Sequence, residues 1–281
     1  SGWCQRDVGA EMNQALTMLR ADDTPADFLV LVDTSKSMAG PKFAAVRQSL
    51  ITLAAAVSPG DYVSVIGFDC RPYHLINPRN VETSASGLVQ ELRNLPEPSA
   101  VPGPGDAGAS DLGQGLEKLL EEMLRRNASR LQFVFIFSDG LHQPPQGSPY
   151  PPGDTASWAA LRKSAQEALR GGGAEVTWLW FASDASTKYR QQVLPEARLL
   201  ILSPREMLSY FARFRDEVAV RRARLQLREV LAAGGLAFVP DTVRVRLKYA
   251  HSVRKDIAVR SSYKLLPVRV KLLPPEEQPD R

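Results

Sequence analysis

The chain has 281 residues, 44% hydrophobic, 23% charged and 7% aromatic; this allows one large α/β domain with an appendage and excludes a fibrous or wholly disordered chain. The formal charge is +4, but residues 217–281 hold 14 Lys and Arg against seven acidic residues, leaving residues 1–216 at −3. A basic tail of this kind suits nucleic acid, anionic lipid or an acidic partner, or is simply an ordinary solvated face.

Taken in order, apolar Val8, Met12, Leu16 and Leu19 recur at helical spacing and predict an amphipathic helix over residues 8–20, followed by a polar stretch at 21–26. Residues 28–32 are continuously apolar and end at Asp33, as a strand buried on both faces would be. A helix is expected over 43–57, opened by Pro41 and stopped near Pro59-Gly60, then a strand over 62–68 and a short helix over 86–95. Residues 96–109, rich in Pro, Gly and Ala, read as a loop before a helix over 112–126. A strand over 131–137 ends at Asp139-Gly140, and a second Pro/Gly-rich loop covers 142–154. A helix over 155–170 stops at three glycines, followed by strands at 174–181 and 198–202 and a closing helix at 204–218.

Strand–helix alternation with nearly all-apolar strands predicts a doubly wound, mostly parallel α/β sheet with helices on both faces. Beyond Arg221 the texture changes: runs at 236–239, 243–248 and 268–272 suggest a small β-rich extension. The expected divisions are therefore an N-terminal segment 1–26, the α/β domain 27–217 and a basic extension 218–281.

Two cysteines, Cys4 and Cys70, exclude a disulfide-stapled miniprotein and a four-cysteine zinc site; they allow one disulfide outside the cytoplasm or two thiols within it. No apolar run reaches the length of a membrane span and no signal peptide is visible, while the opening Ser1-Gly2 without Met reads as a fragment from which a signal or anchor segment could have been removed. An extracytoplasmic setting, periplasmic or secreted, is favoured over a cytoplasmic one.

In an open doubly wound sheet, ligands bind beyond the carboxyl ends of the strands, where strand order reverses. There the sequence places Asp33-Thr34-Ser35-Lys36-Ser37, Ser110-Asp111 and Ser138-Asp139-Gly140. Asp33, Ser35, Ser37, Ser110 and Asp139 offer two carboxylates and three hydroxyls, hard oxygen donors that suit Mg²⁺, with Mn²⁺ or Ca²⁺ as alternatives. Asp-x-Ser-x-Ser alone is weak, because Asp and Ser also favour helix caps and turns; the agreement of three loops is what gives it weight.

Asp33-Thr34-Ser35-Lys36-Ser37-Met38 resembles the Asp-x-Ser-x-Ser signature of von Willebrand factor A domains, where it opens a metal-ion-dependent adhesion site. Ser110 stands at the family's second-loop Thr position, and Asp139 in Ser138-Asp139-Gly140 matches its third-loop Asp; the resemblance covers about residues 27–217. Ser110 keeps the hydroxyl but loses the methyl group that restrains a threonine rotamer. The resemblance implies that Ser35 and Ser37 bind the metal directly and that Asp33 and Asp139 supply charge, partly through water. Ser110 would coordinate when a partner's Glu or Asp fills the open position. It further implies a non-catalytic, metal-dependent protein-binding module, with an accessory subunit of an AAA+ ATPase-driven assembly as the alternative. The Arg, Ala, Leu and Pro content suggests a bacterial source.

Other motifs point away from catalysis. Residues 103–108 fit Gly-x-Gly-x-x-Gly but follow no strand and contain Pro104, and no phosphate loop is present. His74, His142 and His251 are scattered; His142, close to Asp139 in sequence, is a candidate for the rim of the site but reads first as a surface-loop residue, and Ser138 lacks a nucleophile elbow. Asn127-Ala128-Ser129 is a sequon with meaning only in a secretory context, and Trp178 and Trp180 read as core. Arg244, Arg246, Lys248, Arg254 and Lys255 form a possible basic patch, with few aromatics beside it and nucleic acid therefore the lesser expectation.

Overall fold

The two most apolar stretches become neighbouring central strands, because only positions covered on both faces can hold such runs. In the computed structural model these are β1 (Ala26–Asp33), paired in parallel with β2 (Tyr62–Phe68), and β4 (Leu131–Ser138), paired in parallel with β1 on its other side. The structure describes residues 24–82, 85–98, 109–126, 131–181, 188–233, 237–239 and 258–260. The predicted helix over 8–20, the strands at 243–248 and 268–272, Cys4, the sequon, the glycine-rich loop at 103–108 and the five basic residues Arg244, Arg246, Lys248, Arg254 and Lys255 lie outside them.

The sheet is completed by β3 (Pro72–Asn80), β5 (Ala174–Trp180) and β6 (Arg198–Ile201), in the order β3-β2-β1-β4-β5-β6. All pairings are parallel except β2 with β3. This is a doubly wound, mostly parallel α/β architecture. β1 lies between β2 and β4, so strand order reverses at its carboxyl end and opens a crevice there.

Alternation along the strands sends side chains to two helical layers. On one face, Leu50 and Leu53 of α1 (Pro41–Leu53) and Leu88 and Leu92 of α2 (Ser86–Arg93) share a small apolar space with Phe28, Val30, Val63 and Val65. On that face too, Phe211 and Phe214 of a long helix pack edge-on against Phe135, with ring centroids 5.2 and 5.0 Å away. On the other face, α3 (Leu112–Arg125), α4 (Thr155–Leu169) and the short α5 (Lys188–Val193) cover Leu29, Leu31, Ile136, Trp178 and Trp180. Each such buried side chain contributes roughly 1.5–3 kcal/mol. Asp111 caps α3 by accepting from the Gln114 amide at 3.1 Å, and Asp154 caps α4 by accepting from Ala156 at 3.0 Å.

Three elements depart from the sequence reading. β3 was not expected, since Pro72 and Pro78 weaken a strand pattern; it forms because it is an edge strand, where prolines are tolerated. α5 spans only six residues, too few for a periodicity to show. The closing helix, α6 (Pro204–Ala233), runs well past Val218. Arg222 lies on that continuation and is buried, pairing with Asp61 and donating to the Ser58 hydroxyl at 2.8 Å, so an Arg-rich sequence conceals a packed turn.

The chain divides into two compact units, residues 1–223 and 224–281. In the second, β7 (Ala237–Val239) pairs antiparallel with β8 (Ala258–Arg260). Among the described residues, no helix is long and apolar enough to cross a membrane.

Candidate metal centre

Asp33 is the last residue of β1 and is fully buried. Its Oδ1 accepts from the Ser35 amide at 2.9 Å, closing an Asx turn that sends the chain out of the sheet. Thr34 holds the turn to β2, donating its amide to the Phe68 carbonyl at 2.8 Å and its hydroxyl to the same oxygen at 2.9 Å. A 3₁₀ turn, Lys36–Met38, follows and is anchored by buried Met38. These constraints leave the Ser35 and Ser37 hydroxyls 3.1 Å apart, Ser35 buried and Ser37 exposed. Gly40, at φ 76, then turns the chain into Pro41 at the start of α1, a left-handed conformation that side chains disfavour.

The third loop reaches the first through Ser138. Its hydroxyl donates to Asp33 Oδ2 at 3.0 Å and accepts from the Gly140 amide at 2.9 Å. Gly140, at φ 78, makes the bend that turns Asp139 toward the crevice. Asp139 is 4% exposed; its Oδ1 accepts from the Leu141 amide at 3.3 Å and its Oδ2 lies 3.4 Å from the Lys42 ammonium. Burial pushes the Asp33 carboxyl up to about 7 against hydrogen bonds from Ser35 and Ser138, and the charge of Asp139 adds to the rise. The two carboxylates thus share one crevice and repel each other.

Ser110 joins on the side of the third loop. Its backbone exchanges hydrogen bonds with Gln143 at 2.8 and 2.9 Å, and its hydroxyl donates to the Leu141 carbonyl at 3.3 Å. Four of the five expected residues therefore meet directly or through Ser138, while Ser110 faces the loop that carries Asp139. Sequence reasoning missed three contributors. Ser138, weighed only as a nucleophile, bridges the loops; Lys42 is the counter-ion of Asp139; and Tyr73 donates to the Thr34 hydroxyl at 2.8 Å. The position of Ser138 at the end of a central strand was a usable signal, whereas Lys42 and Tyr73 carried none.

His142 is a correction. It is buried, with its ring 5.1 Å from Trp158 and 4.9 Å from Tyr189 and its Nε2 2.7 Å from the Tyr150 carbonyl. The loop folds back over α4, so the imidazole supports the loop from beneath.

The donor set fits a hard divalent cation: two hydroxyls side by side, and behind them a buried carboxylate with no cationic partner, held only by amide and hydroxyl donors. Among the described residues, no cluster of three or more His, Cys, Asp or Glu is placed to hold a metal, so a site here would depend on serine oxygens.

Residues 28–142 match the model of the von Willebrand factor type A domain. The match and the strand order support a von Willebrand factor A domain in this part of the chain. Solved structures with the same fold include proximal thread matrix protein 1 from the mussel byssus, 17% identical with a TM-score of 0.50, over 69% of this chain and 47% of that one. A von Willebrand factor type A protein from Catenulispora acidiphila is 14% identical, with a TM-score of 0.49, over 70% of this chain and 42% of its own. The pilus adhesin SpaC from Lactobacillus rhamnosus GG is 16% identical, with a TM-score of 0.49, over 70% of this chain and 30% of its own. The chain spans less than half the length of each of these proteins. No curated protein matches it.

Proposed function

We propose that this chain is a non-catalytic protein-binding module that uses a divalent metal, Mg²⁺ by the chemistry of its donors, to capture an acidic side chain of a partner protein. The observation that carries this reading is the buried Asp33 carboxylate, raised to about 7 with Asp139 repelling it, directly behind the paired hydroxyls of Ser35 and Ser37. A hard cation at those hydroxyls would neutralise both carboxylates and, having few direct anionic ligands, would keep charge to attract a Glu or Asp from outside. Asp33 orients the first loop through the Ser35 amide, Ser138 couples it to the third, and Ser110 stands ready on the Leu141 carbonyl. Leu141 and Tyr73, 44% and 41% exposed, rim the site with apolar surface beside the point of capture.

The test is binding of the protein to an array of Glu- and Asp-containing peptides, with Gln and Asn counterparts as controls. The expected result is retention on acidic peptides in Mg²⁺, loss in EDTA and recovery when Mg²⁺ is restored. Equal retention in EDTA, or no preference for the acidic peptides, overturns the proposal.

A further inference from the structure

A lysine is out of place in the first turn of a helix, where the free amides and the positive end of the dipole favour acidic residues. Lys42 is the second residue of α1, directly after Pro41, and that turn contains no acidic residue. Its side chain is 33% exposed, yet its ammonium is directed at Asp139 Oδ2, which is nearly buried. Both oxygens of Asp33 are already bound, by the Ser35 amide and the Ser138 hydroxyl, donors fixed on the sheet and its loop. Asp139 Oδ1 is likewise held by a local amide. Asp139 Oδ2 is the one carboxylate oxygen of the crevice whose partner sits on a flexible four-carbon stem and can leave without unfolding anything.

We infer that Lys42 is a built-in competitor for the metal: an internal cation that neutralises Asp139 and must be displaced as a divalent ion enters. The site then has an affinity threshold set by its own chain. Lys42 holds the third loop in place before loading, and the divalent concentration at which the module becomes competent is raised by the strength of this ion pair. The inference rests on the metal reading above.

The experiment is calorimetric titration of the whole chain with MgCl₂, comparing wild type, Lys42→Gln, Lys42→Arg and Lys36→Gln. Lys36 is exposed on the same first loop, so its neutralisation changes net charge equally without touching the ion pair. Lys42→Gln is expected to tighten Mg²⁺ binding about fivefold, the factor that a partly exposed ion pair can supply. Lys42→Arg should bind no more tightly than wild type, and Lys36→Gln should change affinity by much less than Lys42→Gln. An unchanged or weaker affinity in Lys42→Gln overturns the inference while leaving the metal reading intact, as does an equal gain in Lys36→Gln. A wild-type chain that binds no Mg²⁺ overturns both.

Discussion

The two ends of the sheet treat buried charge in opposite ways. At the amino end every buried acid described has a basic partner: Asp27 takes Arg126 at 3.1 Å, Asp61 takes Arg222, and Glu122 takes Arg125 together with the Tyr62 hydroxyl. Asp61 also accepts the Ala26 amide at 2.8 Å and the Ser58 amide at 2.7 Å. At the carboxyl end Asp33 has only hydroxyl and amide donors, and Asp139 has one lysine at 3.4 Å. Charge that is balanced internally serves the fold, and charge left unbalanced in a crevice is available to something from outside.

The comparison is most exposed to failure at Arg222. Arg222→Ala leaves Asp61 buried without its cation and is expected to cost about 3–5 kcal/mol in denaturant unfolding. Mg²⁺ affinity should be unaffected, since the substitution lies at the opposite end of the sheet; a loss under 1 kcal/mol would mean the pair is not buried as described. Arg126→Ala should cost about 2 kcal/mol in the same assay, because it removes both the Asp27 pair and a guanidinium stacked 3.8 Å over the Tyr62 ring.

At the carboxyl end the sign reverses. Asp33→Asn relieves a desolvated carboxylate and its repulsion with Asp139, so unfolding in EDTA should show a gain of about 1–3 kcal/mol while Mg²⁺ binding disappears. A destabilised variant in EDTA would place Asp33 with the structural acids instead. The smallest effect concerns His142, beneath the same loop. Burial lowers its pKa, opposed by the Tyr150 carbonyl and by Asp111, with Lys188 acting in the same direction as burial. The folded state then prefers the neutral ring. Its contribution to stability is present above the unfolded value of about 6.5 and is lost as pH falls below it. His142→Phe should flatten that limb of the pH–stability curve, and an unchanged slope would contradict it.

Much of this was legible in the sequence because the informative residues lie on regular elements. Unbroken apolar runs at 28–32 and 133–137 can only be central strands of a covered sheet, and a strand's end locates Asp33 and Asp139 to within a residue or two. The Asp-x-Ser-x-Ser spacing carried the first loop. What stayed hidden depends on tertiary context. β3 contains two prolines and makes sense only at an edge. Arg222 looks like part of a basic tail until Asp61 is seen opposite it. Lys42 reaches Asp139 across 97 positions of chain, and Ser138 reaches Asp33 across 105, separations at which no local pattern operates.

The central claim is that the unbalanced charge at the carboxyl end is satisfied by a divalent cation. Its most direct test is the paramagnetic signal of Mn²⁺ titrated into the chain, wild type against Asp139→Ala. The account predicts one bound ion per wild-type chain, displaced by excess Mg²⁺, and none in the variant, with both proteins folded by circular dichroism. A free Mn²⁺ signal that accounts for all the metal added to the folded wild type, or equal binding by Asp139→Ala, would contradict it.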